Sequence, residues 1–565
     1  MPYNPDNPIV VQGDRTILLE VNNRLYAEAR DSILRFAELE KSPEYIHTYK
    51  ITSLSLWNAA ASGMNFKGIL NQLEKYSKFD LPQNIVKYIK EGIEKYGKLK
   101  LIKEKEQLYL ISKDKYIIQE ILKNKKVNIY IENTLNEHKL KVMTSMRGHI
   151  KQALIKIGFP VEDLAGYIEG TPFSIGLKEI TAEGKKLVLR DYQKEAAQVF
   201  YAEGSEKGGS GVIVLPCGAG KTITGMAVMD KLDTETLILT TNITAVRQWK
   251  QELLDKTNIK EKNIGEYSGE VKEIKPVTIA TYQILTHRKN KNDNFVHLNL
   301  FSKKKWGLII YDEVHMLPAP VFRMTAEIQA IRRLGLTATL VREDGMEEDV
   351  FSLIGPKKFD MPWKVLEKEG WIASAKCIEV RVDMPEDIKM DYAVSDYRLK
   401  FRIASENYKK IDVVYDLINK HKEDKILIIG QYLKQLKIIS YKLKVPIITG
   451  KTKNEERIKL YEDFKKGSLN ILVVSKVANF AIDLPDANVA IQVSGTFGSR
   501  QEEAQRLGRI LRPKVQKNIA YFYSIVTSDS REQDFAVKRQ MFLVEQGYKY
   551  YIKSQEEIGE DILCH

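Results

Sequence analysis

The sequence predicts an α/β protein of two parallel-sheet lobes preceded by a smaller mixed α+β region. Three observations predict it. From about residue 185, short apolar runs alternate with polar helical stretches: GVIVLP (211–216), TLILTT (236–241), VTIATY (277–282) and WGLIIYDE (306–313). The alternation returns after residue 420, in KILIIG (425–430), VPIITG (445–450), NILVVS (470–475), VAIQVS (489–494) and AYFYSIV (520–526). Continuous apolar runs between helical segments suit parallel strands with crossover helices, because such strands are buried on both faces. Finally, 565 residues exceed what one hydrophobic core organises, so about two to four domains are expected.

Ahead of the lobes, TILLEV alternates as a strand and NRLYAEARDSILRFAELEKS has the spacing of an amphipathic helix. RGHIKQALIKIGFPVEDLAGYIEG predicts a helix, a proline-bounded turn and a short second helix. Residues 375–410 lack the strand–helix alternation, so they form a linker or an insertion.

Composition narrows the function classes. Hydrophobic residues make up 43% and charged residues 29%, as in ordinary globular proteins. No apolar stretch of about 18 residues exists, so no membrane-spanning helix is expected. MPYNPDNPIV lacks a basic segment followed by an apolar run, so a signal peptide is not expected and the cytoplasm is. Cys217, Cys377 and Cys564 are far apart with no CxxC pair, which argues against a disulfide framework or a structural zinc site. The net charge of +13 suits a polyanionic partner, or a lysine-rich compositional bias.

The chemistry-bearing motifs decide between these. Pro216-Cys217-Gly218-Ala219-Gly220-Lys221-Thr222 follows the GVIV run directly. A glycine-rich strand-to-helix turn lets backbone N–H groups close around phosphate oxygens at a helix N-terminus. Lys221 reaches the β- and γ-phosphates of ATP in such a loop, and the Thr222 hydroxyl ligates Mg²⁺. Asp312-Glu313-Val314-His315 ends an apolar strand 91 residues after Lys221 (312 minus 221). Its carboxylates supply the remaining needs of phosphoryl transfer: Asp312 for Mg²⁺, Glu313 as general base toward water. A solvated acidic turn is the bland alternative. In QRLGRILR, Gln505, Arg509 and Arg512 sit on a predicted helix, the two arginines three apart on one face. From a second lobe they stabilise charge on the transferred phosphoryl group; alone they read as a basic surface helix. Thr337 and Thr339, in the TAT after LGL, link the phosphate site to a nucleic-acid groove. The Gln193 amide can donate to and accept from an adenine edge.

These residues resemble superfamily 2 helicases, and within them the XPB family. LPCGAGKT, DEVH, LGLTATLVRED, SKVANFAIDLPDANVAIQVS, QRLGRILRPK and REQDFAVKRQMFLVEQGYKYY carry the resemblance over essentially the whole chain. IVVQGDRTILLEV and the following residues are similar to bacterial-type members. The resemblance implies two RecA-like lobes with ATP and Mg²⁺ in use, and 3′ to 5′ movement on DNA in repair or transcription. It implies an accessory domain over 1–125, a damage-recognition-like domain over 126–180 and a first lobe over 181–372. A linker with a thumb-like helical insertion follows over 373–410, then a second lobe over 411–565.

By the same resemblance, Arg342, Glu343 and Asp344 match a strand-opening motif. Thr240, Thr241, Asn242, Arg247, Gln248, Thr281, Tyr282 and His315 fall where DNA contact and coupling occur. Threonines after strands are equally placed to cap helices. Asp483 stands where the nucleotide ribose is met, although Asn479-Phe480-Ala481 lacks the Arg-Gly pair of many relatives. Tyr392, Tyr397 and Phe401 with neighbouring Lys and Arg suit stacked bases and backbone; an ordinary helical hairpin is the alternative.

The expectation is an ATP-driven DNA helicase acting on tailed, damaged or bubble duplex, a cytoplasmic, nucleoid-associated monomer. The rivals are a duplex translocase that unwinds little and a DNA-binding scaffold that recruits a nuclease.

Overall fold

The computed structural model describes residues 3–288, 295–329, 331–339, 347–475, 487–511 and 518–558. They divide into two compact units: Met1–Leu215 with Gly220–Met361, and Pro362–His565 with the short segment Pro216–Ala219.

The first unit begins with a four-stranded antiparallel sheet, ordered Ile9–Val11, Thr16–Glu20, Ile46–Lys50, Glu38–Lys41. The helix expected through AELEKS stops at Ile33, and Glu38–Lys41 is instead a strand. Its short side-chain alternation pairs it with Ile46–Lys50, and tertiary pairing outweighs helix propensity there. A five-stranded sheet follows, ordered Ile131–Asn136, Lys139–Val142, Gln107–Ser112, Leu99–Glu104, Glu162–Leu164. QLYLIS buries every second residue, as one covered sheet face demands. The helix Arg147–Lys156 covers that face. The expected division at residue 125 therefore falls inside one sheet with one core. After Pro160 the chain forms a strand, Glu162–Leu164, and not the short helix expected: it adds in parallel to Leu99–Glu104.

The remaining sheet of this unit has seven parallel strands. Their order is Ile264–Tyr267, Val277–Thr281, Thr236–Thr240, Leu308–Asp312, Arg332–Thr337, Ser210–Val214, Lys357–Asp360. The central strands are buried from end to end, which is why they read as unbroken apolar runs.

Both smaller sheets are docked on this lobe. Trp57 meets Phe351 edge-on, with ring centroids 6.1 Å apart. Gly148 lets its helix lie against Ala326: a Cβ there would stand 2.4 Å from the Ala326 carbonyl oxygen. Beside it, Asp163 accepts from Arg147 at 2.8 Å and from Lys151 at 2.9 Å, and Lys151 donates onward to Gln329 at 2.8 Å.

The second unit carries another seven-stranded parallel sheet. Its order is Ile447–Ile448, Ile471–Ser475, Ile426–Gly430, Val489–Gln492, Ile519–Thr527, Ser374–Val382, Tyr550–Ser554. Within 373–410, expected as a linker with a helical insertion, Ser374–Val382 is a strand of this sheet. Lys376, Glu379 and Arg381 disguise it as polar, yet Glu379 is buried, accepting from Gln540 and pairing with Arg381 at 3.0 Å. The helices Glu386–Val394 and Tyr397–Ser405 follow it, where the insertion is expected. Among the described residues Cys217 and Cys377 are free thiols, and no helix is long and apolar enough to cross a membrane.

Candidate active site

The first unit gathers its polar groups at the carboxyl ends of its parallel strands, where open α/β sheets meet ligands. Two residues of the phosphate-type loop, Gly218 and Gly220, have φ of +81° and +85°. That is left-handed backbone which a Cβ would disfavour. The loop closes on itself through the Ala219 N–H, which donates to the Pro216 carbonyl at 3.1 Å. The helix Lys221–Leu232 starts immediately afterward, so Lys221 and Thr222 occupy its first turn.

Lys221 Nζ lies 3.3 Å from Glu313 Oε1. The turn that delivers Glu313 is left-handed, φ +50°, in a residue with a full side chain. Such backbone costs on the order of 1–3 kcal/mol and persists where its surroundings hold it. Asp312, next door, is half-buried. Its carboxylate accepts from the Trp249 indole N–H at 2.9 Å, and its backbone carbonyl accepts from the Tyr282 hydroxyl at 2.9 Å. Burial, then the adjacent Glu313 charge, push the Asp312 carboxyl up to about 6; Trp249 and Lys221 pull against them.

A relay leads away from the carboxylates. His315 Nδ1 stands 3.6 Å from Glu313 Oε2 and 2.6 Å from Thr337 Oγ1. Thr337 in turn donates to the Thr339 carbonyl at 2.6 Å and accepts from the Thr339 N–H. Hydrogen bonds thus join His315, Thr337 and Thr339, all three buried, and Glu313 stands just beyond hydrogen-bond distance of the first. Gln193 packs under the loop, its amide nitrogen 2.5 Å from where a Gly220 Cβ would be. Its carbonyl accepts from the Arg190 N–H at 3.0 Å, so part of the amide expected to meet adenine braces its own helix.

Other expectations divide. Thr240, Thr281 and Tyr282, expected at DNA contacts, have buried side chains. Thr281 caps the helix it precedes, and Tyr282 supports Asp312. Asn242 caps the helix Ile243–Lys256 and also donates to Thr241. Arg247 and Gln248 are exposed, with Arg247 paired to Glu270 at 2.9 Å. Phe401 is fully buried and cannot stack on bases. Arg342, Glu343, Asp344, Asp483 and Arg512 lie outside the described residues.

In the second unit the helix Arg500–Gly508 carries Gln505 and ends on Arg509. Its buried face holds Glu503 and Arg506, which the sequence reading passed over. Glu503 accepts from Gln492 at 3.0 Å and from the Tyr550 hydroxyl at 3.2 Å, and lies 3.5 Å from Arg539. Arg506 pairs with Glu502 and Gln492. Five charged residues in RQEEAQRLGR look like a solvated face, and only burial separates the anchors from the outward groups.

The donor set fits a Mg²⁺-nucleotide. Among the described residues no cluster of three metal-ligating side chains occurs, and Mg²⁺ takes one or two carboxylates with phosphate and water oxygens. Thr222 and Asp312 suit that role; Lys221 and the loop amides suit phosphate.

Comparison with known proteins agrees. Residues 366–562 match the family described as ERCC3/RAD25/XPB C-terminal helicase. Residues 186–342 match the type III restriction enzyme res subunit. Residues 9–134 match a helicase conserved C-terminal domain, although their sheets are antiparallel and unlike either lobe. The DNA 3′-5′ helicase XPB of Mycobacterium tuberculosis is 52% identical, covering 98% of this chain and 99% of that one. The chain belongs to the XPB family of helicases. Within the family, the DNA 3′-5′ helicase XPB of Kineococcus radiotolerans is 49% identical over 98% of this chain and 97% of its own. The transcription and DNA repair factor IIH helicase/translocase subunit XPB of Enterocytozoon bieneusi is 35% identical over 96% and 92%. The bacterial-type resemblance holds in these identities.

Proposed function

We propose that this chain is an ATP-dependent DNA helicase with 3′ to 5′ polarity, opening duplex DNA in repair or transcription. The Lys221–Glu313 pair beside half-buried Asp312 carries the proposal, because it sets a phosphate-binding cation, a general base and a metal-holding carboxylate together. Full-length identity to a DNA 3′-5′ helicase supports the substrate and direction.

In this reading Thr222 and Asp312 hold Mg²⁺ with ATP, and the metal supplies charge neutralisation on the phosphates. Lys221, with Glu313 as its counter-ion in the free site, turns to the phosphate oxygens. Glu313, released from that pair, takes a proton from the attacking water at its carboxylate. His315 senses that carboxylate and carries its state to Thr337 and Thr339 through hydrogen bonds. Gln505, Arg509 and Arg512 add cationic and polar groups for the transferred phosphoryl charge. Arg247, Gln248 and Thr241 hold backbone phosphates, which serves a motor indifferent to sequence. Residues 126–180 take the damage-recognition role. The motor acts as a cytoplasmic, nucleoid-associated monomer, with a nuclease as a partner.

The test is ATP turnover with and without DNA, alongside strand displacement on 3′-tailed duplex. DNA stimulates the wild type. Glu313→Gln lowers stimulated turnover by about 10²–10⁴-fold, the usual weight of a general base. Wild-type turnover indifferent to DNA, or no faster than the variant, overturns the motor. Displacement of a bound protein from duplex without strand separation replaces helicase by translocase.

A further inference from the structure

The second unit holds a set of contacts that phosphoryl chemistry does not explain. Phe401, on the helix Tyr397–Ser405, packs tilted against Phe497 with centroids 4.4 Å apart. Phe535 meets both rings edge-on, at 5.1 and 5.6 Å. Phe497 is 47% exposed and sits two residues before Ser499, whose hydroxyl caps the Arg500–Gly508 helix. A half-exposed phenylalanine in a loop is not there to fill a core.

The helix Arg531–Glu545 joins the two ends of this arrangement. At its start, the Arg531 N–H donates to the Tyr392 hydroxyl at 2.9 Å, and its guanidinium lies 5.0 Å from the Tyr397 ring centroid. Glu532, fully buried, pairs with Lys410 at 2.7 Å. About two turns along, Arg539 donates to the Thr496 carbonyl at 2.9 Å and lies 3.5 Å from Glu503. Its guanidinium lies flat where a Gly495 side chain would begin. Buried charged contacts of this kind are rigid, because breaking one leaves an uncompensated charge. The insertion at the other end is loosely held: no residue of Glu386–Val394 is buried, and Met390 and Val394 are 73% and 77% exposed.

We propose that Phe401, Phe497 and Phe535 are positioning residues that couple the insertion to the Arg500–Gly508 helix, with Arg531–Glu545 as the strut. DNA held against the insertion shifts Tyr392, Tyr397 and Phe401. Phe497 passes that shift to the cap of the helix bearing Gln505 and Arg509, and ATP turnover rises. The proposal rests on the motor reading above.

The experiment measures DNA-stimulated and basal ATP turnover in full-length Phe497→Ala and Phe497→Tyr, with DNA affinity measured alongside. Their ratio cancels any unfolded fraction. Phe497→Ala lowers the ratio about tenfold, within the ordinary range for coupling between two sites. Basal turnover and DNA affinity stay at wild-type values, and Phe497→Tyr, which keeps the ring, restores the ratio. An unchanged ratio in Phe497→Ala overturns the proposal. So does a parallel loss of DNA affinity, which makes Phe497 a direct DNA contact. Absence of stimulation in the wild type overturns the motor reading itself, before any variant is compared.

Discussion

Asp312 is a carboxylate placed where ionisation is costly. Its ordinary value is 3.8 and burial beside Glu313 raises it to about 6. Between those values the folded chain keeps a proton that the unfolded chain has released. The group therefore opposes folding in full above about pH 6, and the cost lifts as pH falls toward 3.8. Metal binding needs the ionised form, so turnover falls as pH drops through about 6. Trp249→Phe removes the indole N–H that favours the anion and keeps the bulk. The acid limb of its pH–rate profile moves to higher pH; an unmoved limb would show that another group titrates. Lys221, Glu313, His315 and Thr337 were legible in the sequence because each sits in a short motif whose chemistry needs that residue type. Trp249 was not, since its partner is 63 residues away and an indole in a helix reads as core. Tyr282 misled for the same reason: strand-end position suggested an outside contact, and its hydroxyl points in to Asp312.

Elements are held by few, identifiable contacts. The helix Arg147–Lys156 and its module meet the first lobe through Asp163, Lys151 and Gln329. Burial alone would raise the Asp163 carboxyl, but Arg147 and Lys151 overcome it and hold it well below the usual carboxylate range. Its contribution to stability is present above the ordinary carboxylate value and lost in stronger acid. Burial pushes Lys151 the other way from its usual value, down to about 8. Asp163→Asn leaves Arg147 and Lys151 with no buried counter-charge and destabilises the first unit by about 3–5 kcal/mol. A lowered denaturant midpoint at unchanged slope checks this; a change below about 1 kcal/mol, typical of exposed pairs, refutes it. Both long runs of parallel strands were legible because double-faced burial writes itself as continuous apolar sequence. Glu38–Lys41 and Ser374–Val382 were not, because polar residues break their apolar pattern; the first is fixed by pairing with nearby Ile46–Lys50 and the second by pairing with distant Ile519–Thr527.

At the scale of the molecule, the +13 charge now has an assigned use. A motor that grips phosphates releases counter-ions, so DNA affinity falls steeply and linearly on a log–log salt plot, by a factor of about 10³–10⁵ between 50 and 200 mM for roughly 6–10 phosphate contacts. Titration by fluorescence anisotropy checks it, and affinity insensitive to salt would point to base-edge recognition instead. The two parallel sheets also differ in what they ask of a growing chain. The first lobe has all seven strands in hand once residue 360 is made. In the second, Ser374–Val382 waits beside Tyr550–Ser554 and Ile519–Thr527, its only two neighbours, until both have been synthesised. At about 5–20 residues per second that wait is on the order of ten seconds. Throughout it, a nine-residue strand with two open edges is available to any passing chain. Covering that segment during synthesis is expected to raise the yield of intact protein, which expression with and without added ribosome-bound chaperone checks.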